Sequence, residues 1–203
     1  MTIDPRDDSF YVLTSNLLIK YSCEGVYLGK IGKKLSMKNP TGLTMDADGN
    51  IYICDYDEGH IMVINEAQDV LRIIPIEKPC EICVDLPHSR LIVSDHGKDV
   101  IRILTLNGEK IKKIGSKGNA KGQFIKPIGV FADAIGQILV CDNGNDRVQM
   151  FNEKGMFICS IGGMGRTETQ FIGPKSVTVD VYGTLFVGDV MNTRIQAFAS
   201  SKQ

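Results

Sequence analysis

The sequence predicts an all-β fold built from copies of one structural unit, and three observations support this prediction. Four aspartates, Asp55, Asp95, Asp142 and Asp189, each close a run of mostly apolar residues and are separated by 40, 47 and 47 residues. Each copy contains four short strand-like runs, and glycine-containing turn sequences separate these runs. A period in this range with four strands per copy is typical of a β-propeller, in which four-stranded antiparallel blades surround an axis.

The first strand of each copy runs from a proline to an aspartate. The copies at 40–46, 127–133 and 174–180 match closely, and 79–85 matches more loosely. A tight turn follows, and then a second run that barely alternates, which predicts a strand packed on both faces between neighbouring blades. The second-strand runs are 10–13, 51–54, 91–94, 138–141 and 185–188.

The third and fourth runs of each copy are more polar. The third alternates more openly, as in 101–104, 148–151 and 195–198, and we expect it to lie nearer solvent. The fourth mixes lysine with apolar residues, which is typical of an outer edge strand because lysine discourages pairing with another chain. The fourth runs are 27–32, 71–76, 111–115 and 157–162.

The segment 127–171 reads Pro-x-Gly-Val-x-x-Asp, then Cys-Asp-Asn-Gly-Asn-Asp-Arg-Val-Gln-Met-Phe, then Ile-Gly and Gln-Phe. This pattern resembles the NHL repeat, and 173–198 resembles it too. The resemblance is weakest over the first 38 residues, where Thr14 stands in place of the aspartate. It implies a single propeller domain with about five repeats, at 1–38, 39–78, 79–126, 127–173 and 174–203. Since NHL propellers usually have six blades, five repeats imply a partial or gapped ring.

The charged and metal-binding residues argue against catalysis. The three histidines occupy different repeat positions, and Cys80 and Cys83 would point to opposite faces of a strand. Where the first strands converge on the axis, Glu81 is the only acid. We therefore predict no catalytic residue, no metal and no cofactor. No 18-residue apolar stretch and no signal-peptide pattern is present, so we expect a cytoplasmic location.

Two rims follow from the strand order of a propeller. The second-to-third and fourth-to-first connections form what we call the loop rim, with twelve basic and eleven acidic residues. The two remaining turns of each blade form the hairpin rim, with four basic and thirteen acidic residues. An anionic partner is therefore expected at the loop rim. The candidate binding residues there are Lys33, Lys34, Lys98, Lys117, Lys121, Arg147, Arg166 and Arg194.

The aspartates Asp55, Asp95, Asp142 and Asp189 recur in the loops of four repeats, so we expect them to be structural, accepting backbone N–H bonds. Arginine would bridge from them to a neighbour, while ligand contact by Arg147 and Arg194 stays open. Tyr56, Phe124 and Phe171 are the only aromatic candidates for base stacking on this rim. Phe124 and Phe171 match the Gln-Phe of the repeat and are expected to pack beneath the loops.

The resemblance implies a non-catalytic interaction module, the substrate-recognition part of a tripartite-motif (TRIM-NHL) ubiquitin ligase. Its partner would be a protein substrate, or single-stranded or stem-loop RNA, on the loop rim, with no membrane and no small-molecule cofactor. Two alternatives stay open: a metal-dependent lyase or hydrolase propeller, and an extracellular NHL receptor module. Fold does not decide between them.

Overall fold

The computed structural model describes residues 1–32 and 35–199, which form five antiparallel sheets in chain order. Each strand pairs with its neighbours in sequence. Blade 1 contains β1 (Thr2–Ile3), β2 (Phe10–Leu13), β3 (Leu18–Tyr21) and β4 (Tyr27–Ile31). Blade 2 contains β5 (Pro40–Met45), β6 (Ile51–Asp55), β7 (His60–Ile64) and β8 (Val70–Pro75). Blade 3 contains β9 (Pro79–Asp85), β10 (Arg90–Asp95), β11 (Val100–Thr105) and β12 (Lys110–Ile114).

Blade 4 contains β13 (Pro127–Ala132), β14 (Ile138–Asp142), β15 (Arg147–Phe151) and β16 (Phe157–Gly162). Within the described residues blade 5 has three strands, β17 (Pro174–Val179), β18 (Leu185–Asp189) and β19 (Arg194–Phe198). Three single-turn 3-10 helices are Leu86–His88, Asn143–Asn145 and Val190–Asn192. Across 1–32 and 35–199, no helix has the length and apolar character needed to cross a bilayer.

The five sheets are arranged as the blades of a five-bladed β-propeller, which confirms the predicted fold class. The first strand of each blade contacts the first strand of the next, in the order β1, β5, β9, β13 and β17. Residues from all five of these strands line one central cavity. The first strands are therefore innermost, and the fourth strands lie at the periphery.

The hydrophobic core lies between blades. Four apolar clusters fill the four junctions between successive blades. The second strands are the most deeply packed, and every residue of β14 is buried. This confirms the prediction of coverage on both faces for β6, β10 and β14, while β2 and β18 of the terminal blades are only partly buried.

The expectation that the third strands lie nearer solvent is confirmed for β19, where Ile195 is 74% exposed, and is wrong for β11 and β15. Ile101 of β11 and Val148 of β15 are 0% and 1% exposed. The reason is that in blades 3 and 4 the neighbouring blades cover both faces of the third strand, while the fourth strand covers its edge. The fourth strands are the exposed ones, as predicted, and four of the five residues of β12 are exposed.

A glycine two residues after the opening proline lets neighbouring inner strands approach closely. At Gly129, a Cβ atom would lie 2.4 Å from the carbonyl oxygen of Lys175 in the next blade. At Gly42, it would lie 2.8 Å from the Cα of Glu81. Only glycine fits such an approach without displacing backbone. This packing sets the width of the central cavity.

Candidate functional site

The loop after β14 is organised around the carboxylate of Asp142. It accepts hydrogen bonds from the Ile125 backbone N at 2.8 Å, Asn145 Nδ2 at 2.8 Å and Gln149 Nε2 at 3.0 Å. The side chain is fully buried. Asp142 therefore joins its own loop to the segment that connects blade 3 with blade 4.

Arg147 completes this loop. Its Nε donates to Asp142 at 2.8 Å, and its terminal nitrogens donate to the carbonyl oxygens of Asn119, Ala120 and Gln123 at 2.8–3.0 Å. Arg194 repeats the arrangement with Asp189 and three carbonyls of the segment before blade 5. Both guanidinium groups thus hold loop backbone, and few of their N–H donors remain for a ligand.

In blade 3 the loop aspartate is paired with an arginine at a different repeat position. Asp95 is paired with Arg102, whose Nε donates to the carboxylate at 2.7 Å. Arg102 lies two residues beyond the position that Arg147 occupies in blade 4. Sequence reasoning missed this pair because alignment by position places Val100 there. Side chains two residues apart lie on the same face of a strand, and that periodicity is the signal that could have found it.

In blade 2 the carboxylate of Asp55 is held by backbone alone. It accepts N–H bonds from Lys38 at 2.7 Å, Asn39 at 3.0 Å and Glu58 at 3.2 Å. Burial by itself raises the pKa of this carboxyl, but the three N–H donors outweigh burial, so its pKa lies below the ordinary value. Asp55 is therefore an anion that fixes the entrance to blade 2.

The described lysines of the loop rim are largely paired with acids of the same rim. Lys98 lies 2.6 Å from Glu77, and Lys117 lies 3.8 Å from Asp99. Two further pairs are Lys38 with Glu58 at 2.6 Å and Lys78 with Asp57 at 3.5 Å. This part of the loop rim is a surface of alternating charges rather than a basic patch.

The other candidate residues of the loop rim differ in their surroundings. Lys121 is exposed, and its Nζ lies 5.9 Å from the centre of the Phe157 ring. Arg166 is exposed, and its backbone carbonyl accepts a bond from Arg194. Lys33 and Lys34 lie outside the described residues.

Two aromatic side chains meet on the loop rim between blades 2 and 3. The hydroxyl of Tyr56 lies 3.0 Å from His96 Nδ1, and Lys78 Nζ lies 4.5 Å from the centre of the Tyr56 ring. Desolvation, and then the positive charge of Lys126, lower the pKa of His96, so its ring is neutral at pH 7. Phe124 and Phe171 are fully buried, which confirms that they pack beneath the loops.

The hairpin rim also uses aspartate architecturally. Asp133 accepts backbone N–H bonds from Ile135 at 3.0 Å and Gln137 at 2.8 Å, which closes the hairpin between β13 and β14. Asp46 and Asp180 make the same bonds in blades 2 and 5. Much of the charge of this rim is thus fixed close to the blades.

The central cavity has a volume of about 650 Å³ and is lined by the innermost strands of all five blades. Its wall is mostly apolar, with Leu43, Ile82, Val130 and Val177 among the lining residues. Glu81 is the one ionisable carboxylate that lines it. Among residues 1–32 and 35–199, no group of three or more histidine, cysteine or acidic side chains is arranged to hold a metal ion.

No family model matches the chain, and no curated protein matches its sequence. Similar solved structures are numerous. Nidogen in a nidogen/laminin complex superposes with a TM-score of 0.77 at 19% identity, over 98% of this chain and 74% of that chain. A streptogramin B lyase superposes with a TM-score of 0.71 at 13% identity, over 99% and 68%.

A protein of unknown function from Bacteroides thetaiotaomicron VPI-5482 superposes with a TM-score of 0.77 at 14% identity, over 98% of this chain and 58% of that chain. At these identities the likeness shows the fold alone. The class that the fold defines is the β-propeller, and its similar structures include both a protein in a binding complex and a lyase.

Proposed function

We propose that this propeller is a non-catalytic module that binds a protein partner on the loop rim. The observation that carries the proposal is the mixed-charge surface of that rim, which includes the Tyr56 and His96 pair between blades 2 and 3. Affinity for nucleic acid depends on cations that neutralise phosphates, and cations already paired with carboxylates supply less of it. Protein interfaces instead combine aromatic anchors with a polar rim of matched charges.

The NHL resemblance supports a finer proposal. The propeller would be the substrate-recognition part of a cytoplasmic TRIM-NHL ubiquitin ligase, and ubiquitin transfer would belong to other parts of the parent chain. The finding of a C3HC4-type zinc pattern in the parent reading frame would support this assignment. A signal peptide there would favour the extracellular receptor instead.

Site-specific photo-crosslinking tests which rim binds protein. A benzophenone amino acid replaces Tyr56 on the loop rim or Tyr182 on the hairpin rim, in the parent chain expressed in cells. Tyr182 is the matched control because it is a tyrosine that is 82% exposed. We expect RNase-resistant protein adducts at position 56 and few at position 182. A purified partner should then bind the Tyr56→Ala variant at least tenfold more weakly than the wild type.

Adducts confined to position 182 would contradict the proposal, and so would adducts at position 56 that disappear with RNase. The second outcome would support RNA, the second candidate. RNA is favoured by the exposed Lys121 and Arg166, which have no ion pair within the described part of the chain. Changing Lys33, Lys34, Lys117 and Lys121 to Glu should then abolish binding to a random RNA pool and flatten its salt dependence.

The candidate from another class is a lyase or hydrolase, and the similarity of the fold to a streptogramin B lyase is the observation that favours it. Metal analysis of the purified protein tests this candidate. A stoichiometric metal ion that survives dialysis against a chelator would favour the enzyme, and a metal-free folded protein would favour the binding module.

A further inference from the structure

Glu81 occupies a position that the other inner strands give to small residues. Two residues after the opening proline stand Gly42, Gly129 and Ser176 in blades 2, 4 and 5. The inner strands nearly touch there, so a small residue is what the packing needs. A carboxylate at this point has no part in the loop and hairpin networks of the blades. Departures from a repeat rule with no structural gain are expected at functional positions.

The Glu81 carboxylate lies against the apolar wall of the central cavity. Its Oε1 accepts a bond from the backbone N of Ile82 at 3.3 Å, and the backbone N–H of Leu43 makes a weaker contact with the carboxylate. Across 1–32 and 35–199 it makes no ion pair within 4 Å, unlike the buried Asp142, which is paired with Arg147. A half-buried carboxylate with two weak backbone donors and no cation partner is poorly compensated for its loss of water.

The other ionisable groups near Glu81 are mostly neutral. They are the thiols of Cys80 and Cys83 on β9, Cys54 on β6 and Cys141 on β14, and burial raises the pKa of all four. The Met1 amino group acts on Glu81 through its positive charge. Lys175 acts on the Cys80 thiol through its charge. Burial raises the pKa of Glu81 to about 7, and the N–H of Ile82, the Met1 amino group and the N–H of Leu43 partly oppose this.

The cavity runs along the inner strands. Glu81, Gly129 and Ser176 line its end near the loop rim, while Met45, Ala132 and Thr178 line the part nearer the hairpin rim. The hairpin rim holds thirteen acidic residues and four basic ones. The negative electrostatic potential of this rim attracts cations and repels anions.

We propose that the central cavity binds a small amphipathic ammonium compound, with the Glu81 carboxylate as its counter-ion and the inner strands as its apolar wall. The cavity volume of about 650 Å³ falls in the range of small-molecule sites, roughly 300–1,000 Å³. A metal ion fits this site less well, because Ca²⁺ and Mg²⁺ need several oxygen ligands and Glu81 offers one carboxylate. This site is independent of partner binding on the loop rim.

Isothermal titration of the purified protein with a graded series of ammonium probes tests the proposal. The series is propylammonium, cyclohexylammonium and benzylammonium, and benzyl alcohol is the neutral control of similar shape. We expect one benzylammonium per chain, bound at least tenfold more tightly than benzyl alcohol. Binding should strengthen as pH rises through 7, because the ligand pairs with the ionised carboxylate. No binding by the whole series at millimolar concentration would overturn the proposal.

Three variants locate the site. Glu81→Gln keeps the shape and removes the charge, so it should weaken benzylammonium at least tenfold and abolish the pH dependence. Thr178→Phe fills the cavity without changing a charge and should also weaken binding. Glu77→Gln is the matched control, because Glu77 is exposed on the loop rim. Thermal unfolding and circular dichroism establish that each variant is folded. Equal losses in Glu77→Gln and Glu81→Gln, or undiminished binding in Thr178→Phe, would place the ligand elsewhere and overturn the proposal.

Discussion

The guanidinium of Arg147 donates to Asp142 Oδ2 at 2.8 Å and to the carbonyl oxygen of Ala120, also at 2.8 Å. One side chain thereby joins the loop between β14 and β15 to the segment that leads from blade 3 into blade 4. Arg194 makes the corresponding bonds to Asp189 and Thr167, 47 residues further along the chain. The recurrence of the whole network shows that in blades 4 and 5 a paired aspartate and arginine hold the backbone of the loop rim.

Arg147→Ala should therefore destabilise the fold. It removes four hydrogen bonds, one of them to a buried carboxylate that would lose its cation. We expect a loss of about 2–4 kcal/mol in the free energy of unfolding, measured by urea denaturation. Arg147→Lys should not restore it, because an ammonium group cannot reproduce the planar fork of donors.

Arg166→Ala is the control for this experiment. Arg166 is exposed, and only its backbone carbonyl takes part in the network. The substitution should change stability by no more than roughly 0.5 kcal/mol. Equal effects at positions 147 and 166 would show that the loop network does not stabilise the fold.

Phe171→Ala should open a void between blades 4 and 5. Phe171 is fully buried in the cluster between these blades, and its ring lies where a Cβ on Gly162 would stand. Loss of a buried phenylalanine costs about 3–5 kcal/mol. Urea denaturation measures the loss, and Tyr182→Ala, at an exposed aromatic residue of blade 5, is the control. A loss below roughly 1 kcal/mol would show that this junction is not an essential part of the core.

Asp55→Asn should reduce stability at neutral pH and have less effect in acid. The pKa of Asp55 is lowered in the folded state, so its stabilisation is complete above the unfolded pKa of 3.8 and is lost as pH falls through the folded pKa. We expect a difference from wild type of about 1–2 kcal/mol at pH 7 that narrows below pH 4. Asp57→Asn, at an exposed residue of the same loop, should show neither effect. A stability difference that stays constant down to pH 2 would mean that folding does not lower the pKa of Asp55.

The fold was predictable from sequence because each blade repeats local signals. The proline that opens β13 and the aspartate that closes β14 recur at nearly constant spacing, and strand order within a blade follows chain order. The partners of charged side chains were not predictable from the repeat period. Asp95 pairs with Arg102, which lies two residues beyond the expected arginine position. Lys98 pairs with Glu77 across the junction between blades 2 and 3. Both depend on side-chain reach between neighbouring strands and blades, which the repeat period does not encode.

The raised pKa of Glu81 could not be predicted from sequence, for a related reason. Sequence identified Glu81 as the one acid near the axis, but its environment depends on five strands that come from distant parts of the chain. Its neighbours on β5 and β13 are glycines in the repeat pattern, and only the assembled ring shows that they leave the carboxylate against an apolar wall.

Glu81→Gln should stabilise the ligand-free protein at high pH and leave it unchanged in acid. Burial raises the pKa of Glu81 from 4.5 to about 7, so the folded state holds a proton that the unfolded chain releases between these values. Releasing this proton stabilises the unfolded state. The free energy of unfolding of the wild type therefore falls as pH rises from 4.5 to 7. Above pH 7 the difference in stability between wild type and Glu81→Gln is constant, because the carboxyl is then ionised in both the folded and the unfolded state.

Glutamine does not ionise, so the stability of Glu81→Gln does not fall between pH 4.5 and 7. We expect it to exceed wild type by about 2–3 kcal/mol at pH 8 and to equal it near pH 4. Urea denaturation at a series of pH values measures the difference, and Glu77→Gln should follow the wild-type curve. A stability difference between Glu81→Gln and wild type that does not change with pH would mean that Glu81 titrates at an ordinary pKa, as a solvated carboxyl does. The cavity would then lack the uncompensated charge that an ammonium ligand needs.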